Sequence, residues 1–198
     1  MDKKSLEQWY IRDKKSTHDI AKAFHCSEGK INYWLNKYSI QKRSISEALY
    51  TKHNPNGDPF SPKTLQTSGD SFLFGLGLGL YWGEGTKRNL GQVRLGNTDP
   101  YLVRAFLIFL RKTYDIEDSK LRFAIQIFTD MDQKKEEKFW REFLNVDAKQ
   151  FYKTINTRSG SIGTYRKKSE HGVLTLYFGN KKLRDILISE IEKMKELD

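Results

Sequence analysis

The chain has one cysteine, Cys26, in 198 residues. A disulfide within the chain and a cysteine-built zinc cage are both excluded, and a reducing, intracellular setting is the expectation. Its four histidines, His18, His25, His53 and His171, share no metal-ligand spacing. The longest apolar run, around Leu78, falls short of the ~20 residues that cross a bilayer. The opening MDKKSLEQWY is charged and lacks the apolar stretch of a signal peptide. No membrane partner is expected, and a cytoplasmic, nucleoid-associated location is. A GxxxxGK[ST] phosphate loop, a GxGxxG turn between strand and helix, and a GxSxG elbow are all missing. Acid is outnumbered: 25 Asp and Glu face 35 Lys and Arg, a formal charge of +10. A surplus of that sign points to a polyanion, most simply nucleic acid.

Residues 1–43 carry the periodicity of a small helical unit. Leu6, Trp9 and Tyr10 lie on one helical face. Ser16 and Asp19 have capping-box spacing before Ile20, Ala21 and Phe24. His25 and Cys26 then make a turn. Ser27 caps a third helix with Ile31, Trp34, Leu35 and Tyr38 at i, i+3, i+4, i+7. This resembles helix-turn-helix modules of the resolvase type. Lys30, Asn32, Tyr33, Asn36 and Lys37 form the polar face offered to DNA, with Lys42 and Arg43 beyond it for phosphates. Residues 44–70 read as a linker. Pro55, Pro59 and Pro62 cluster there with Asn54, Asn56, Gly57 and Asp58, and that chemistry forbids a helix.

Residues 71–198 open with FLFGLGLGLYWGEG, entered at Phe72. On a helix, Gly75, Gly79 and Gly83 make one bare stripe. Each glycine costs a helix about 1 kcal/mol relative to alanine. Close approach of a second helix is the compensating gain, and it would place Glu84 at a seam. Beyond the run, Gln92 to Leu95 alternates, Asp99-Pro100 opens an apolar helix, and Lys120 to Phe128 alternates again. Asp132 begins a helix with Phe139, Trp140 and Phe143 inward. Thr154 to Thr164 reads as loop, Val173 to Phe178 as strand, and Asn180 caps a last helix.

The stretch Gly77 to Gly85 resembles the signature helix of the LAGLIDADG homing endonucleases. Gly79, Leu80, Glu84 and Gly85 fall where that family has glycine, leucine, an acid and glycine. Leu78, Trp82 and Glu84 stand where alanine, aspartate and aspartate are commoner. The resemblance implies an α+β fold of αββαββα type with a curved antiparallel sheet, carrying an extra helix near Phe139 and preceded by the all-α module. One signature helix per chain implies a homodimer joined through Gly75, Gly79, Trp82 and Gly83. It further implies that Glu84, with the Gly83 carbonyl, binds Mg²⁺ beside the scissile phosphates of double-stranded DNA. Asn97 would position water, and Lys167 or Lys168 would supply a basic group. Gln92, Arg94, Lys120, Arg122 and Gln126 would form the sheet face that reads the major groove. The expected activity is Mg²⁺-dependent, site-specific cleavage of duplex DNA. The alternative is a scaffold of the same type that binds DNA as a transcriptional regulator without cutting.

Overall fold

A computed structural model describes residues 1–88, 91–159 and 169–196. They divide into two compact units, Met1–Asp58 and Pro59–Asp198.

In the first unit, α1 (Lys3–Glu7) runs on as a π-helical turn, Gln8–Arg12. α2 (Thr17–Ala23) starts at the Ser16/Asp19 capping box, and α3 (Glu28–Lys37) starts at Ser27, whose hydroxyl accepts from the Lys30 N–H. Leu6, Tyr10, Ile20, Ala21, Ile31, Leu35 and Ile40 form the core. Phe24 departs from the expected buried stripe. It sits at the end of α2, 40% exposed, edge-on to Trp9. A further helix, α4 (Ile45–His53), occupies part of the stretch read as linker. Its start is written in the chain: Ser44 and Glu47 make a reciprocal capping box. α4 ends just ahead of Pro55, where the chain loses the N–H a helix needs.

The second unit begins earlier than the sequence suggested. Pro59 and Phe60 are buried. The Ser61 and Lys63 N–H groups donate to the Tyr114 and Thr113 carbonyls at 2.7 and 2.8 Å. The unit continues with α5 (Ser68–Glu84), β1 (Val93–Asn97), α6 (Pro100–Tyr114), β2 (Leu121–Phe128), α7 (Gln133–Leu144), β3 (Ile155–Thr157), β4 (Val173–Phe178) and α8 (Lys181–Met194). The architecture is α+β, with a mixed sheet in the order β1-β4-β2-β3. β4 pairs antiparallel with both β1 and β2, whereas β3 pairs parallel with β2. The sheet is therefore not purely antiparallel, and among the described residues one strand, not two, separates α5 from α6. β3 lies in the stretch read as loop. Ile155 and Asn156 are both exposed, so its pattern carries no alternation, and only the pairing with Gln126 and Ile127 defines it.

One face of the sheet carries the core. Val93 and Leu95 of β1, Leu174, Leu176 and Phe178 of β4, and Leu121, Phe123, Ile125 and Ile127 of β2 are all buried. Helices cover this face. Val103, Phe106, Leu107, Phe109 and Leu110 of α6 join Leu78 and Tyr81 of α5 and Leu183, Leu187 and Ile191 of α8. Burying each such side chain contributes about 1.5–3 kcal/mol. α7 is tied in by polar contacts that spacing does not reveal. The Trp140 indole N–H donates to the His171 carbonyl at 2.8 Å, and His171 Nδ1 lies 2.7 Å from Glu136 Oε2.

Candidate nucleic-acid interface

α5 begins at a capping box in which Thr67 accepts from the Asp70 N–H and Asp70 returns the bond. The Thr67 hydroxyl beside Asp70 holds that carboxyl below the usual aspartate range. The helix uses its glycines unequally. A Cβ on Gly77 would overlap the Phe109 ring, so this glycine permits the α5–α6 contact. A Cβ on Gly75, Gly79 or Gly83 would meet nothing within 4 Å. Those three face away from their own unit, beside exposed Phe72, Leu76 and Trp82. The predicted stripe is present, and among the described residues of its own unit nothing lies within 4 Å of where its Cβ atoms would stand.

At its C-terminal end α5 passes Glu84, which is exposed and whose carboxylate forms no hydrogen bond or ion pair with a described residue. Gly85 follows, bridged antiparallel to Leu95 of β1. A side chain at Gly85 would collide with Tyr81. The Thr86 N–H donates to the Arg94 carbonyl at 2.8 Å, which locks the end of α5 to the strand. The Lys87 ammonium donates to the Trp82 carbonyl. A cation is favoured there, because unsatisfied carbonyls make the end of a helix negative. Arg184 of α8 secures this turn by donating to the Lys87 carbonyl. Asn97, at the far end of β1, accepts the Asp99 N–H at 2.9 Å, just before α6. Asn97 thus stands two residues past the one that pairs with Gly85. Lys167 and Lys168 lie outside the described residues.

On the sheet face opposite the core, Arg94, Arg122, Thr175 and Tyr177 are half-exposed and Gln126 is exposed. Arg94, Tyr177 and Arg122 stand in one row across β1, β4 and β2, and Gly96, Thr175 and Ala124 form the next. Gln126 lies further along β2 on the same side, its Nε2 donating to Thr157 Oγ1 at 3.0 Å. Gln92 lies just before β1, half-exposed, and Lys120 is exposed in the short turn that leads into β2. Two tyrosines join this face that the sequence reading did not assign: Tyr177, and Tyr152, whose ring meets Tyr177 edge-on at 5.8 Å. The alternation of Val173 to Phe178 is the signal for Tyr177, since Leu174, Leu176 and Phe178 claim the other face. No such signal exists for Tyr152, which joins through loop geometry.

In the first unit, Lys30, Tyr33, Asn36 and Lys37 are exposed on α3. Asn32 is half-buried and donates back to the Glu28 carbonyl at 3.0 Å. Lys37 lies over the Trp34 ring, 4.7 Å from its centre. Lys42 is exposed. Arg43 differs from its assignment as a free phosphate contact. Its guanidinium donates to the Lys14 and Lys15 carbonyls and stacks 4.2 Å from the centre of the Tyr10 ring, while its N–H donates to the Tyr10 hydroxyl. The residue fastens the end of the three-helix core to the turn after the first helix.

No helix among the described residues is long and apolar enough to cross a membrane. Comparison with protein-family models, curated proteins and solved structures finds no match to this chain.

Proposed function

We propose that the chain is a site-specific, double-stranded DNA endonuclease of the homing type, acting as a homodimer with Mg²⁺. The observation that carries this reading is the outward glycine stripe of α5, which has open space over it and ends in the exposed carboxylate of Glu84. A second copy laid along the same stripe would bring two Glu84 side chains together. Two carboxylates at close range repel, and a divalent cation relieves that repulsion. Among the described residues of one chain, no three His, Cys, Asp or Glu side chains gather, so the second copy and the DNA phosphates complete the donor set. The oxygen donors suit a hard cation: Glu84 and the Gly83 carbonyl would hold Mg²⁺. Bound there, Mg²⁺ supplies Lewis-acid polarisation of the phosphate and a more acidic water.

The chain's own residues do the rest. Arg94, Arg122 and Lys120 bring positive charge to the duplex, and Gln92 and Gln126 bring amides that pair with base edges. Asn97 uses its amide carbonyl on Asp99, which leaves its Nδ2 protons for a water or a phosphate. Lys30, Asn32, Tyr33, Asn36, Lys37 and Lys42 of the first unit add a second set of DNA contacts.

A regulator that binds without cutting is the second reading. The Lys87 ammonium on the Trp82 carbonyl favours it, because a cation of the chain's own already rests at that helix end. Incubation with a library of duplexes and Mg²⁺, followed by sequencing of the ends, separates the two. Specific breaks that disappear in Glu84→Gln support the nuclease; tight, metal-independent binding without breaks supports the regulator. Binding that ignores salt concentration contradicts both, since phosphate contacts release counterions.

A further inference from the structure

We infer that Arg94, held in place by Tyr177, is the side chain of the open sheet face that selects guanine; this rests on the duplex-DNA reading above and names its specificity. Arg94 and Arg122 flank Tyr177 in one row across three strands, and the two arginines are not equivalent. The Arg94 guanidinium carbon lies 5.2 Å from the centre of the Tyr177 ring. None of its guanidinium N–H groups bonds to a described residue. Contact with a ring face holds a guanidinium without using its in-plane donors. What remains is a pair of parallel N–H groups at a set height above the sheet. In the major groove, that pair matches the O6 and N7 acceptors of guanine and no other base edge as well.

Arg122 is held differently. Its Nη1 donates to the Ser119 carbonyl at 2.8 Å and to the Leu121 carbonyl at 2.7 Å. Both Nη1 protons are therefore engaged at the start of its own strand, which draws the group back along the sheet. It keeps its charge for a phosphate. Tyr177 in turn is steadied by the edge-on ring of Tyr152. Tyr177 acts through Arg94, as a positioning residue.

The test begins with duplexes selected from a random pool by the full-length protein. Each base pair of the selected site is then replaced in turn, and affinities are read by fluorescence anisotropy. Replacing one particular guanine is expected to weaken wild-type binding about tenfold or more, the usual strength of a bidentate arginine–guanine contact. Tyr177→Leu and Arg94→Lys should flatten that preference, while Tyr177→Phe, which keeps the ring face, retains it. Arg122→Ala should weaken all duplexes alike and lower the salt dependence. Arg94→Lys keeps charge and ring, so it decides the matter if Tyr177→Leu unfolds. A guanine preference that survives Arg94→Lys, or survives in folded Tyr177→Leu, overturns the inference alone. So does a preference erased by Arg122→Ala. Failure of the wild type to select any duplex overturns the DNA reading, and the inference with it.

Discussion

Gly77 lies against the Phe109 ring: a Cβ on the glycine would stand 2.0 Å from the ring's Cγ. Two positions further along the same helix, Gly79 has nothing within 4 Å of where its Cβ would stand. One glycine closes the core of its unit, and the other has open space over it.

Alanine at the two positions should therefore act in opposite directions. Gly77→Ala forces Phe109 or the α5–α6 spacing to move, an overpacking cost of about 1–3 kcal/mol. Gly79→Ala removes a flexible helix residue without a clash and should stabilise the dilute protein by about 1 kcal/mol. It should also weaken self-association, because the added methyl stands on the proposed seam. Thermal unfolding and sedimentation of both variants measure this. Unchanged self-association in Gly79→Ala speaks against a seam along that stripe.

Glu84→Gln should abolish cleavage while duplex binding in the absence of metal stays within about threefold of wild type, because the lost carboxylate makes no hydrogen bond or ion pair with a described residue and its charge is one that DNA repels. End-sequencing and anisotropy on the same preparation give both values. Loss of binding together with cleavage would assign Glu84 a different role.

Arg43→Ala should behave as a stability variant. The guanidinium joins two backbone carbonyls and the Tyr10 ring within one unit, and removing such charge-assisted bonds costs about 1–3 kcal/mol. The first unit should melt earlier. At a temperature where it remains folded, DNA affinity should fall less than in Lys42→Ala, whose side chain is exposed. Equal loss of affinity in both would return Arg43 to the DNA.

Acid should loosen the start of α5. Bonds from the Thr67 hydroxyl and the Gln66 and Thr67 N–H groups favour the ionised form of Asp70, so its pKa is lower folded than unfolded. The stability this adds is complete above the unfolded aspartate value, near 4, and is lost as pH falls through the lower folded value. Between those limits the unfolded chain binds the proton and the folded one does not. Hydrogen exchange at the first turn of α5 should rise over that window in the wild type and show a much smaller change in Asp70→Asn.

Local chemistry was legible in the chain. Capping residues at Ser16, Ser27, Asp99, Asp132 and Asn180 start the helices they announce, because a side-chain acceptor beside unsatisfied N–H groups acts within a few residues. The alternation of Val173 to Phe178 places its strand to the residue, because the pleat sorts neighbours onto opposite faces. α4 was equally legible from Ser44 and Glu47, but the prolines that follow dominate that stretch. Phe24 and β3 were not: burial at the end of a helix and pairing at the edge of a sheet depend on what lies beside them in space.

Composition and spacing, by themselves, determined a basic chain with a helical first unit, an α+β second unit, and a glycine-striped helix ending in Glu84. Charge, caps and periodicity act over a few residues and need no partner. Tertiary structure alone decided that Gly77 and not Gly79 meets Phe109, that Arg43 turns inward, and that Tyr177 stands between Arg94 and Arg122. Those relations join residues far apart in the chain, and the packing of α6 on α5, the fold of the first unit around Tyr10 and the register of the strands bring them together.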